Sequence, residues 1–240
     1  MRKSSLILAV TILVFLTFLA ISIIDPSSPF NPNRSPSALG ILILAILALT
    51  IIAFVFEFET RASKSREISL VSMLGAVSAV SRVPFGPMPS FQPSTFFIIC
   101  SGYVFGSVMG FMVGMLTALV SNFFFGQGPW TLYQMFAWGL IGASAGLLSK
   151  LKLPKKLLMP FGLFWGYGFG FLMNLWFLTA FGFPIGLKSI ISLQIVSFWM
   201  DTLHAVGNVV FLAIFGGRVI RVLERFKARQ ILIFTKRDEK

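Results

Sequence analysis

An aspartate and a histidine stand three residues apart in the apolar run FWMDTLHAVGN, and ionisable groups at membrane depth are this chain's clearest candidates for chemistry. A spacing of three puts Asp201 and His204 on one helix face, where they could contact a ligand together or relay a proton. The alternative is structural: an internal hydrogen-bonded knot tying this helix to Asn174 on its neighbour, because polar residues also fasten helices together in lipid. One His, one Asp and no nearby Cys fall short of a metal-ligand set, and no cofactor is expected. No nucleophile and base form a recognisable pair, which ranks an intramembrane enzyme last. No GxxxxGKT loop is present, so the chain does not itself use ATP in the usual way.

A second constellation surrounds a Pro-rich loop. Arg82 precedes VPFGPMPSFQPS, which contains Gln92, and GQGPWT then brings Gln127 and Trp130 just ahead of Tyr133 and Gln134. Prolines pre-stiffen such a loop so that it can act as a lid. Trp and Tyr offer flat faces for a ring, and Gln offers an amide donor and acceptor. Read singly, Trp130 and Tyr133 also fit an interfacial aromatic belt. The third feature is SMLGAVSA, where Ser72 and Ala76, and Gly75 and Ala79, are each four apart and form a smooth strip on which another helix can dock. Spacing alone does not say whether that helix belongs to this chain or to a partner.

The elements that position these groups are membrane helices. With 56% apolar residues, 12% charged residues and a mean hydropathy of +0.88, the chain has the bilayer as its solvent. Glycines at 102, 106, 110, 114, 139, 142 and 146 cost helix stability in water, but in lipid they let backbones approach closely. Apolar runs predict eight spans: Leu6 to Ile24, Ala38 to Phe56, Ile68 to Val83, Thr95 to Met109, Phe111 to Phe125, Thr131 to Leu148, Leu157 to Phe183 and Ser189 to Gly216. Thr95 to Phe125 is read as two short spans joined at Gly110. With both termini cytoplasmic, every Lys and Arg except Arg34, Arg82 and Lys188 then falls inside, whereas one long helix would put most of the positive charge outside.

The net charge of +12 is therefore mainly a topological signal, and nucleic-acid binding is a poor reading of it. Met1 to Ile24 looks like a signal peptide at first, but its apolar stretch is too long and lacks a small-residue cleavage site, which favours an uncleaved anchor. Cys100 has no partner for an intramolecular disulfide and reads as a buried bystander. The predicted organisation is a two-helix addition at 1–56, a cytoplasmic linker at 57–67, a six-helix core at 68–217 and a basic cytoplasmic tail at 218–240. The first two spans lack central polar groups and suit lipid-facing anchors. The tail is a snorkelling helix end that could also meet anionic lipid.

Taken together, SMLGAVSA, the FQPS loop, SGYVFGSVMGFMVGMLTALVSNFFFGQGPWT, MFAWGLIGASAGLL and DTLHAVGN make the region from about Glu67 to Arg221 resemble the substrate-binding S component of an energy-coupling factor (ECF) vitamin transporter. The resemblance implies an all-α, six-helix prokaryotic cell-membrane protein that captures a vitamin, docks on a transmembrane coupling subunit with two ATPase subunits, and topples in the bilayer to release its cargo. It also implies that Arg82, Gln92, Trp130, Tyr133, Gln134, Asn174, Asp201 and His204 lie near the ligand. Ser72 and Ala76 match the small positions that meet the coupling subunit, with Gly75 and Ala79 beside them. GQGPWT looks most like S components for cobalamin or its precursors, with riboflavin as an alternative substrate. An autonomous proton-coupled carrier using Asp201 and His204 is the competing class.

Overall fold

A computed structural model describes residues 3–25, 27–29, 31, 34–61, 65–152, 154–181 and 187–238. Among them the chain is all helix: α1 (Lys3–Ile24), α2 (Pro36–Arg61), α3 (Ser65–Ser81), α4 (Ser94–Phe105), α5 (Ser107–Phe125), α6 (Trp130–Lys150), α7 (Leu158–Ala180) and α8 (Leu187–Phe211). A π-helical segment, Leu212–Gly216, then leads into α9 (Gly217–Asp238). The topological expectations for Arg2, Lys64 and Lys240 lie outside the described residues. Five stretches are long and apolar enough to cross a membrane: Ala38–Thr60, Arg66–Phe85, Ser107–Phe125, Lys155–Ala180 and Leu187–Arg229. Ala9–Phe18 and Ser94–Phe105 are shorter apolar helices. Gln134, Ser144 and three glycines dilute the hydropathy of α6, although it packs at the centre of the bundle.

The bend between α4 and α5 falls at Gly106, not at Gly110 as the spacing suggested. Gly106 has φ 95°, a backbone region that glycine enters without steric cost. Gly110 is used differently. A Cβ there would strike the carbonyl of Gly142, and a Cβ on Gly142 would strike the carbonyl of Gly110. Gly102 meets the same Gly142 carbonyl, so α4, α5 and α6 converge backbone on backbone at one point. Along α5 and α6 the approach continues from Gly114 against the Trp138 carbonyl to Gly146 against the Gly106–Ser107 peptide.

A second close-packed pair joins α7 to α8. Gly162, Gly166 and Gly170 repeat every four residues and face Leu212 and Asn208, then Ala205, then Asp201. Asn174 continues this face by one further turn and donates to Ser197 on α8. The side-chain amide of Asn208 also reaches the Gly162 carbonyl at 3.0 Å.

The two N-terminal helices differ from each other. α1 packs on α2 and leaves Leu6, Ile12, Leu13 and Phe15 exposed, as an anchor facing lipid would. α2, by contrast, lies against α5, α6 and α7 and buries Leu42, Leu47, Ile51 and Ala53, with the Phe54 and Phe111 rings stacked 3.8 Å apart. It is part of the bundle on one of its sides. Phe54→Ala should accordingly cost about 3 kcal/mol, read as a fall in unfolding midpoint in detergent. An unchanged midpoint would mean that α2 contributes nothing to the fold.

Candidate functional site

The loop between α3 and α4 closes one end of the bundle. A short 3-10 turn, Val83–Phe85, follows Arg82, and Ser90 takes a left-handed backbone conformation with φ 62°. Pro93 then leads directly into α4. Beneath this loop lies a cavity of about 170 Å³ lined by Arg82, Ser90, Gln92, Ser94, Gln134, Trp138, Phe169 and His204.

Arg82 dominates its electrostatics. The residue is only 8% exposed. Its Nε donates to Gln92 Oε1 at 2.7 Å and its Nη1 to Ser121 Oγ. The guanidinium carbon lies 4.5 Å from the Phe125 ring centroid and 4.8 Å from that of Trp138, so aromatic faces take up part of the solvation that water would supply.

The opposite wall is held by a buried chain of hydrogen bonds. Trp138 Nε1 donates to Thr95 Oγ1 at 3.0 Å, and the same hydroxyl is 2.8 Å from His204 Nε2. Phe169 stands against both partners, with ring centroids 4.9 Å from Trp138 and 5.0 Å from His204. Gln134 is aimed by Asn122, whose amide donates to Gln134 Oε1 at 2.7 Å and to Thr131 Oγ1 at 3.0 Å. Thr131 in turn donates to Gln127 Oε1 and accepts from the Gly128 N–H, which pins the GQGPWT turn at the start of α6.

Four of the residues singled out from the sequence thus come together at the cavity: Arg82, Gln92, Gln134 and His204. The other four are not among its lining residues. Trp130 packs edge-on against Trp176, and Tyr133 Oη lies 3.0 Å from Thr179 Oγ1, so both engage α7. Asn174 donates to Ser197 Oγ at 2.8 Å and to Gln194, and Ser197 donates to Asp201 Oδ2 at 2.7 Å. Asp201 is therefore tied through Ser197 to Asn174, whereas His204 bonds to Thr95. No hydrogen bond joins Asp201 to His204. Sequence reasoning passed over Ser90, Ser94, Thr95, Ser121, Trp138 and Phe169 as site residues, although Thr95 and Trp138 are polar-capable groups inside apolar runs. Among the described residues no group of His, Cys, Asp and Glu could hold a metal ion.

The small-residue strip on α3 divides between two faces. Gly75 sits against Leu116 of α5, where a Cβ would lie 2.9 Å from the Leu116 Cβ, and Ala79 is fully buried. Ser72 and Ala76 face outward with Met73, Val77 and Val80, the last 55% exposed.

No curated protein and no solved structure matches the chain. The family model described as ECF transporter, substrate-specific component matches residues 66–220, which runs from the start of α3 through the π-helical segment into α9 and takes in every residue lining the cavity. The chain is an all-helical, multi-pass membrane protein that belongs to the ECF transporter family of substrate-specific components.

Proposed function

We propose that this chain is the membrane-embedded subunit that captures a vitamin-class molecule for an ECF importer, with translocation powered by a separate coupling subunit and two ATPase subunits. The observation that carries the reading is the polar and aromatic cavity closed by the Pro-rich loop, within a chain of the substrate-specific component family. The groups around it are hydrogen-bonding and aromatic, as a binding site requires, and the Thr95 hydroxyl that meets His204 is buried and also accepts from Trp138. The exposed Ser72–Ala76 face supports docking of the coupling subunit on α3.

The GQGPWT turn favours cobalamin or a cobalamin precursor as the cargo, with riboflavin as the next choice. The size of the cavity weighs toward a compact ring. A corrinoid is far larger than about 170 Å³ and would require the loop 83–94 to lift and α6 and α7 to part. Asp201 and His204 are separately bonded, which lends no support to an autonomous proton relay.

The purified chain should bind its substrate tightly in detergent without ATP, and the small molecule that co-purifies should be identifiable by absorbance and mass spectrometry. Proteoliposomes containing the chain alone should show no accumulation, and addition of the coupling module should restore it. Accumulation by the chain alone, driven by a pH gradient, would overturn the reading.

A further inference from the structure

The cavity contains a cation with no counter-ion. Arg82 is buried, and no carboxylate lies within ion-pair distance of it among the described residues. Among the described residues no acidic side chain lines the cavity. Asp201, on the same helix as His204, has its carboxylate under Gly170 and accepting from Ser197. A buried guanidinium without a counter-ion is costly, and among the described residues the groups around it are neutral amide, hydroxyl and aromatic ones.

The geometry shows what is left to offer. Nε and one Nη1 hydrogen of Arg82 are committed to Gln92 and Ser121, which leaves the Nη2 pair and the second Nη1 hydrogen. Those two nitrogens form the end-on fork that matches the two oxygens of a carboxylate. Gln92 and Ser121 hold the fork in place, and Phe125 and Trp138 fix its plane. Beyond it, Trp138 and Phe169, inclined at 32°, make an aromatic wall for a flat apolar body.

We propose that the cavity takes a compact, ring-bearing monoanion, with a carboxylate on the Arg82 fork and the ring against Trp138 and Phe169. The inference rests on the substrate-binding reading above but departs from its choice of cargo: cobalamin and riboflavin carry no carboxylate and would leave Arg82 without a counter-ion.

The test compares matched acids and amides on the purified full-length chain in detergent. Nicotinate against nicotinamide and biotin against biotinamide serve as probes by isothermal titration, alongside mass spectrometry of whatever the protein releases on denaturation. At least one acid should bind about 10- to 100-fold more tightly than its amide, the range expected for a hydrogen-bonded charge pair. Arg82→Gln should erase that preference. Arg82→Lys keeps the charge without the fork and should retain part of it, so a folding defect in one variant does not decide the outcome. A released molecule without an anionic group, or a panel in which no acid outbinds its amide, would overturn the proposal while leaving the importer-subunit reading intact. Accumulation by the chain alone would instead strike that reading and leave the charge preference standing.

Discussion

Gly142→Ala should lower the unfolding free energy by about 3 kcal/mol or more, enough to prevent recovery of a monodisperse protein from detergent. The added methyl meets the backbone of Gly110, which no rotamer change can move aside. Relief would require α5 and α6 to separate along their whole line of approach, from Gly114 at Trp138 to Gly146 at Ser107. Gly217→Ala is the matched control: no atom lies within 4 Å of the added methyl, and alanine is the better helix former by about 1 kcal/mol. Thermal unfolding followed by tryptophan fluorescence should separate the two variants widely. If they melt together, the close approach of α5 and α6 is not what holds the bundle.

The second large effect concerns transport and leaves binding untouched. Ala76→Trp adds bulk to the outward face of α3, beside Met73, Val77 and Val80, where lipid accepts an indole as readily as a methyl. Substrate affinity and melting temperature should stay near wild type. Uptake by the assembled importer should fall by about tenfold or more, because a smooth small-residue face is what permits close helix contact. Gly75→Leu, one residue earlier, points at Leu116 and should destabilise the isolated subunit. Full uptake by Ala76→Trp would move the docking surface elsewhere.

The existence and order of α1 to α8 were legible because a residue run apolar enough to enter lipid has few alternatives to a helix, whereas the basic stretch expected as a tail is α9. Which glycine turns the chain was not. Gly102, Gly106, Gly110 and Gly114 are evenly spaced, and only the approach of α6 to Gly110 shows that Gly106 must make the bend. The repeat Gly162, Gly166, Gly170 is visible in the letters and carries the α7–α8 contact, but its spacing does not say which helix it meets. An evenly apolar helix such as α2 does not reveal in its sequence which side is covered. Its covered side became visible only through partners such as Phe111 and Thr179.

The site shows the same division. Arg82, Gln92 and Gln134 stand out in sequence because polar groups near membrane depth need a reason. Trp138 and Phe169 look like ordinary packing until Thr95 and His204 are seen beside them. Asp201 and His204 share a helix face, but a three-residue step still rotates a side chain by about 60°. That is enough to send one toward α7 and the other toward α4.

The seating of α2 on α5, α6 and α7 bears on how such a subunit moves. If the bundle tips in the bilayer to discharge its load, the N-terminal hairpin must travel as ballast. The turning body then displaces a wider disc of lipid than the core alone would.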